Sequence, residues 1–69
     1  MIVVDARGMR CPWPAIRAAR ALRDHKGQPI EVLADDPAAA GEIALLAESA
    51  GAQLETFRKP NCNRFRLIP

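Results

Sequence analysis

The chain has 69 residues, of which 49% are hydrophobic and 26% charged, and its formal net charge is +2. This length supports one small hydrophobic core, so we expect a single domain over residues 1–69, and the apolar content excludes a disordered chain. No apolar stretch is long enough to span a bilayer, and Asp5 comes too early for a signal peptide. We therefore expect a soluble cytoplasmic protein that makes no contact with a membrane.

The charges are segregated along the chain. Residues 1–27 carry six basic and two acidic side chains, whereas residues 28–51 carry five acidic side chains and no Lys or Arg. Residues 52–69 carry four basic side chains and one acidic one. Either these charges only solvate exposed faces, or the basic surface near residue 11 steers an acidic protein or a nucleic acid.

The first strand and the first helix meet at a cysteine. Ile2–Val4 predicts a buried strand, and residues 5–8 predict a turn. Pro12–Lys26 predicts a helix that stops at Gly27, because proline is favoured in the first helical turn and glycine at the C-cap. Helical spacing places an apolar stripe of this helix at Ile16, Ala19 and Leu22.

Cys11 should therefore lie at or next to the helix N-cap. The positive end of the helix dipole favours a thiolate there, and the adjacent Arg10 adds positive charge, so we expect a modestly lowered pKa for Cys11. Pro12 and Pro14 remove two of the N–H donors, which limits the effect. The alternative interpretation is that Cys11 is a small buried hydrophobic residue.

The second half of the chain predicts a strand, a helix and a hairpin. After a strand at Ile30–Ala34, Asp36 is expected as N-cap and Pro37 as the first residue of a helix that ends before Gly51. The apolar face of this helix is expected to consist of Ile43, Leu46, Ala47 and Ala50. Capping explains Asp36, so we assign the Asp35–Asp36 pair a structural role rather than an acid–base or metal-binding one.

The last two predicted strands, Ala52–Arg58 and Asn63–Ile68, are joined by turn-forming residues, which predicts an antiparallel hairpin with Cys62 at an exposed loop tip. The order β-α-β-α-β-β predicts an α+β fold. It is a two-layer α/β sandwich in which a four-stranded mixed sheet carries both helices on one face. The other face would be open to solvent, with an apolar group beside charged side chains: Leu33, Phe57 and Ile68 beside Glu31 and Arg66.

Few residues can carry chemistry. The chain has two cysteines, no CxxC motif and a single histidine, His25, which is best explained as a helix-end residue. These counts argue against a thioredoxin-type pair, a metal site and a Ser-His-Asp triad. Cys11 is therefore the one strong candidate nucleophile, and we expect no metal ligands.

Two segments resemble the TusA/SirA-like sulfur-carrier family. They are Asp5–Pro14, which contains the Gly-x-x-Cys-Pro-x-Pro (CPxP) element, and Ala34–Pro37. The resemblance implies a fold similar to the C-terminal domain of bacterial translation initiation factor three. It also implies that Cys11 is the catalytic residue, with supporting residues around it and a structural cap on the second helix. The supporting residues are Asp5, Gly8, Arg10, Pro12, Trp13 and Pro14, and the cap is Asp36 and Pro37.

By the same resemblance, Cys11 accepts a sulfane sulfur as a persulfide from a cysteine desulfurase or another sulfurtransferase. It then passes the sulfur to a downstream acceptor protein in tRNA thiolation, molybdenum-cofactor maturation or sulfur oxidation. The chain would be a sulfurtransferase-type carrier that works within a relay rather than alone, with no cofactor besides the covalent sulfur. Trp13 and Glu42 stand where tRNA-thiolating members often have Glu and Asp, respectively.

Two other function classes are considered. A nucleic-acid-binding module is suggested by basic residues near the hairpin, but the acidic middle third and the 4% aromatic content make direct binding of nucleic acid a poor expectation. A thiol-redox regulatory module would use Cys11 and Cys62 as a pair.

Overall fold

The computed structural model describes all 69 residues and contains two helices and four strands. They are β1 (Ile2–Asp5), α1 (Trp13–Asp24), β2 (Ile30–Ala34), α2 (Ala39–Ala50), β3 (Gln53–Arg58) and β4 (Asn63–Ile68). The sheet order is β1-β2-β4-β3, in which β1 pairs parallel to β2 and β4 pairs antiparallel to β2 and β3. The predicted α+β fold with a four-stranded mixed sheet is confirmed.

The core lies between the sheet and the two helices. β2 and β4 are the central strands, and their alternate residues that face the helices are at most 1% exposed. These residues are Ile30, Val32, Ala34, Phe65 and Leu67. Neither helix is long and apolar enough to cross a membrane.

The predicted apolar stripe of α1 is only partly correct, because Leu22 packs against the core but Ile16 does not. Ile16 is 41% exposed, and Ala19 and Leu22 are only half-buried. In an alanine-rich helix two neighbouring stripes satisfy the helical period equally well, so residue size gives no signal for choosing between them. The buried face consists instead of Pro14, Ala18 and Ala21. The helix also ends two residues earlier than predicted, at Asp24 rather than Lys26.

The predicted start of α2 is also wrong. The helix begins at Ala39, because Asp36, Pro37 and Ala38 form a preceding turn. The Asp36 carboxylate accepts the N–H of Ala38 at 3.0 Å, and the Asp36 carbonyl accepts the N–H of Ala39 at 3.0 Å. Asp36 therefore caps this turn rather than the helix itself, and Pro37 is not the first helical residue.

The other end of α2 agrees with the prediction. Gly51 has a left-handed φ of 69°, and the N–H of Ala52 donates to the carbonyl of Ala47 at 2.9 Å, as in a Schellman C-cap. Ile43 and Ala47 are buried as predicted, whereas Ala50 is exposed.

The sheet face opposite the helices carries the predicted mixture of apolar and charged side chains. Strand register places Glu31 and Leu33 on this face, opposite Arg66 and Arg64 of β4. Glu31 is nearly buried by its ion pairs with Arg64 at 2.7 Å and Arg66 at 3.5 Å. The Arg66 guanidinium lies 5.2 Å from the centroid of the Phe57 ring, within cation–π range.

Candidate active site

Cys11 lies in the loop that joins β1 to α1. The N–H of Ala6 donates to the carbonyl of Leu33 at 2.8 Å, which extends the pairing of β1 with β2 into the loop. The N–H of Met9 donates to the carbonyl of Ala6 at 3.2 Å and closes a turn in which Gly8 has a φ of 82°. Glycine adopts this conformation without the steric cost that a Cβ would bring.

Two consecutive aspartates at the carboxyl end of β2 hold this loop. The N–H of Gly8 is shared between both carboxylate oxygens of Asp35, each at 3.0 Å. The N–H of Cys11 donates to Oδ2 of Asp36 at 2.6 Å. The structural role predicted for the aspartate pair thus includes anchoring the loop that carries Cys11, which sequence reasoning missed because the partners lie 25 to 27 residues apart.

Asp36 accepts the N–H groups of both Cys11 and Ala38, which suits a charged carboxylate. Hydrogen bonds from the N–H groups of Ala38 and Cys11 lower the pKa of its carboxyl group, and the nearby positive charge of Arg10 adds to the effect. Asp36 is therefore a carboxylate at neutral pH. Arg10 is exposed, and its carbonyl oxygen accepts the N–H of Trp13 at 2.9 Å.

The thiol of Cys11 contacts a carboxylate rather than a helix N-terminus. Its Sγ donates to Oε1 of Glu42, in the first turn of α2, at 3.2 Å. This hydrogen bond raises the pKa of Cys11, and burial and the negative charges of Glu42 and Asp36 raise it further. The predicted lowering of the Cys11 pKa is wrong.

The reason lies in the geometry of the first turn of α1. Cys11 precedes the N-cap residue Pro12, as predicted, but no side chain caps this helix. Pro12 and Pro14 have no N–H, and the N–H of Trp13 is already bonded to the carbonyl of Arg10. No N–H group in the first turn of α1 is hydrogen-bonded to the sulfur, so no such bond offsets the two carboxylates.

The remaining predicted supporting residues lie around the loop, and none of them is hydrogen-bonded to Sγ. The Asp5 carboxylate accepts the backbone N–H of Arg7 and two N–H groups of its guanidinium, at 2.8 and 2.9 Å, and these bonds lower the pKa of Asp5 to about 2. Trp13 is 58% exposed and lines a groove of about 900 Å³ between β1 and α1, whereas Pro14 is buried.

Cys62 lies in the hairpin loop next to Asn63, which pairs with Ala34 at the carboxyl end of β2. The predicted loop position of Cys62 is confirmed, but the residue is only partly exposed, as Cys11 is. Both cysteines are free thiols. No three His, Cys, Asp or Glu side chains are grouped so that they could hold a metal ion.

These features define a small α+β protein that presents one thiol on an anchored loop beside an exposed tryptophan. The TusA family model, described as "Sulfurtransferase TusA", matches residues 2–68. The chain therefore belongs to the TusA family, and the resemblance drawn from its sequence is confirmed.

Relatives and a solved structure agree with this placement. The chain is 44% identical over 66 residues to a protein of Archaeoglobus fulgidus, covering 94% of the chain and 86% of the relative. It is 36% identical over 53 residues to YrkI of Bacillus subtilis, covering 75% of the chain and 71% of YrkI. Both are named "Putative sulfur carrier protein". The crystal structure of a SirA-like protein from Desulfitobacterium hafniense has a TM-score of 0.89 at 30% identity, covering 99% of this chain and 96% of that one.

Proposed function

We propose that this chain carries sulfane sulfur as a persulfide on Cys11. The sulfur-carrier role itself follows from the family and the relatives. The anchoring of Cys11 supports it as the residue that carries the sulfur. The 2.6 Å hydrogen bond from its backbone N–H to Asp36 fixes its position, and the residue stays partly exposed. A partner can therefore reach the sulfur at a fixed position.

Transfer to Cys11 is a thiol exchange. The Cys11 thiolate attacks the outer sulfur of a donor persulfide, and a new S–S bond forms as the donor's S–S bond breaks. The electron pair of the broken bond stays on the inner donor sulfur, which leaves as a thiolate and takes up the proton that Cys11 lost. Sulfur and its oxidation level move together, so no external oxidant or reductant is required. Delivery repeats the same exchange, with an acceptor thiolate attacking the outer sulfur on Cys11.

The chemistry requires two protein partners. The donor is a cysteine desulfurase or another sulfurtransferase that itself holds a persulfide, and the acceptor is a downstream protein of tRNA thiolation, molybdenum-cofactor maturation or sulfur oxidation. The cytoplasm is the compartment that suits the relay, because thiols stay reduced there. The chain requires neither a metal nor an organic cofactor for this role.

Intact-mass measurement tests the assignment with Cys11→Ser and Cys62→Ser as matched variants. After incubation with a cysteine desulfurase and cysteine, the wild type and Cys62→Ser should each gain about 32 Da, and Cys11→Ser should gain nothing. Uptake by Cys11→Ser equal to that of the wild type would contradict the proposal. A loss of about 2 Da in the wild type, without sulfur uptake, would favour a disulfide switch between Cys11 and Cys62 instead.

A further inference from the structure

We propose that Glu42 is a positioning residue that distinguishes the two chemical states of Cys11. It holds the neutral thiol by a hydrogen bond, and it repels the anionic persulfide, which turns outward to the acceptor. This inference rests on the proposed function, because it requires Cys11 to carry the sulfur. Its starting point is the 3.2 Å contact between Sγ of Cys11 and Oε1 of Glu42.

The position of Glu42 is fixed by the core. The adjacent Ile43 is fully buried, and the N–H of Glu42 donates to the carbonyl of Ala38 at 3.4 Å. A carboxylate has no proton to give, so the thiol is the donor in the contact with Cys11. A charged acceptor makes such a bond stronger than one between neutral groups. The reduced thiol is therefore docked against α2.

The charged groups around the sulfur favour its neutral form. Glu42 faces it from α2, and Asp36 faces the same loop from the turn after β2. Arg10, the nearest cation along the loop, lowers the pKa of Asp36, and no basic side chain is hydrogen-bonded to the sulfur of Cys11. Two carboxylates without a cation at the sulfur disfavour any anion there.

Loading with sulfur reverses this preference. A persulfide is more acidic than a thiol, so its outer sulfur loses its proton to solvent near neutral pH and has none to donate to Glu42. The like charges then repel, and the S–S bond of about 2 Å carries the outer sulfur away from the carboxylate. The loaded carrier thus exposes its cargo, whereas the empty carrier keeps its thiol protonated and docked.

The thiol half of the proposal is tested by alkylation with iodoacetamide, a neutral reagent, as a function of pH. Glu42→Gln is compared with Glu48→Gln, an exposed position on the same helix, both in a Cys62→Ser background. Glu42→Gln should move the midpoint of the curve of alkylation rate against pH to a lower pH. At pH 7 it should speed alkylation about threefold for each pKa unit lost, because a tenfold gain in thiolate is partly offset by weaker nucleophilicity. Glu48→Gln should leave the profile unchanged.

A purely structural role for Glu42 would lower stability without moving this midpoint. Coincident profiles for the Cys62→Ser background and Glu42→Gln would overturn the proposal. The midpoint for Glu42→Asp, which keeps the charge on a shorter side chain, should lie between that of the Cys62→Ser background and that of Glu42→Gln. It also serves as the second variant should Glu42→Gln fail to fold.

The persulfide half is tested by carbon NMR of the Glu42 carboxyl group at pH 7. The Cys62→Ser protein is loaded with a small-molecule persulfide, and loading is verified by a gain of about 32 Da. On loading, the signal should leave its thiol-state position and approach that of Cys11→Ala. An unmoved signal would contradict release from Glu42. Failure to load at all would contradict the proposed function and with it the persulfide half, and the alkylation profiles would still decide whether Glu42 holds the thiol.

Discussion

Asp36 joins Cys11 to the start of α2. One oxygen of its carboxylate accepts the N–H of Cys11 at 2.6 Å, and the other accepts the N–H of Ala38 at 3.0 Å. The same side chain thus sets the turn that leads into α2 and the loop that carries the thiol. This bridge brings Cys11 to Glu42, which lies in the first turn of that helix.

Replacing Asp36 should separate the two halves of this bridge. Asp36→Asn keeps an oxygen for the N–H of Ala38 but sets an amide N–H against that of Cys11, whereas Asp36→Ala loses both bonds. At pH 7 we expect the urea concentration at the unfolding midpoint to be highest for the wild type, lower for Asp36→Asn and lowest for Asp36→Ala. The pKa of Cys11 should fall in both variants, because the negative charge of Asp36 contributes to its rise.

The pH dependence of this effect has a defined sign. The pKa of Asp36 is lower in the folded chain than its usual 3.8, so its stabilising contribution is present above pH 3.8 and is lost as the pH falls through the folded-state pKa. The gap in stability between the wild type and Asp36→Ala should therefore shrink in acid. Urea melts between pH 2 and 7 measure it, and a gap that widens in acid would contradict the assignment.

The sequence predicted the order of elements, the end of α2 at Gly51 and the open face of the sheet because each depends on local pattern. Turn formers, a C-cap glycine and strand alternation act over a few residues. The residues of the central strands that were assigned to the open face lie there, as the register of Glu31 opposite Arg66 shows.

The sequence did not predict the electrostatics of Cys11, because its environment is assembled from distant segments. The Cys11 thiol binds Glu42, which lies 31 residues away in the sequence, and the backbone N–H of Cys11 binds Asp36, which lies 25 residues away. The helix dipole and the adjacent Arg10 were the local influences that the sequence displayed, and both favour a lower pKa, whereas the contacts with the two carboxylates raise it.

The same substitution should have opposite effects at two glycines. Gly8 has a φ of 82° and an added Cβ would meet nothing within 4 Å, so Gly8→Ala should cost about 1 kcal/mol from backbone strain alone. Gly41 has ordinary helical geometry within α2 and equally open space, so Gly41→Ala should stabilise by about 0.5–1 kcal/mol. Urea melts measure both, and a stabilised Gly8→Ala would refute the proposed turn.

Glu31 should contribute more to stability than a typical surface acid. Its side chain is only 9% exposed between Arg64 and Arg66, so the isosteric Glu31→Gln leaves two cations without their carboxylate. Because both arginines still reach water, we expect a loss of about 1–2 kcal/mol, below the cost for a fully buried pair. Glu55→Gln is the control, with its side chain 48% exposed, and should change stability by no more than about 0.5 kcal/mol. Equal effects in the two variants would contradict the assigned role of Glu31.

The groove between β1 and α1 should speed the encounter with an acidic partner. Arg17 and Arg20 line it beside the exposed Trp13, and neither arginine pairs with a carboxylate. The aspartates of the groove are each paired already, as Asp5–Arg7 and Asp24–Arg23. With both aspartates already in ion pairs, Arg17 and Arg20 leave the groove an excess of positive charge, and such charge acts mainly on association rate.

Reversing these two charges should therefore slow sulfur transfer from a protein donor. We expect Arg17→Glu with Arg20→Glu to lower the rate by on the order of tenfold at low salt and to flatten its dependence on ionic strength. The control is Arg58→Glu with Lys59→Glu, which changes net charge equally near the opposite edge strand, β3, and should have a smaller effect. Alkylation of Cys11 by iodoacetamide, which needs no steering, should be similar in all three proteins. A wild-type transfer rate that does not respond to salt would mean that Arg17 and Arg20 only solvate the surface.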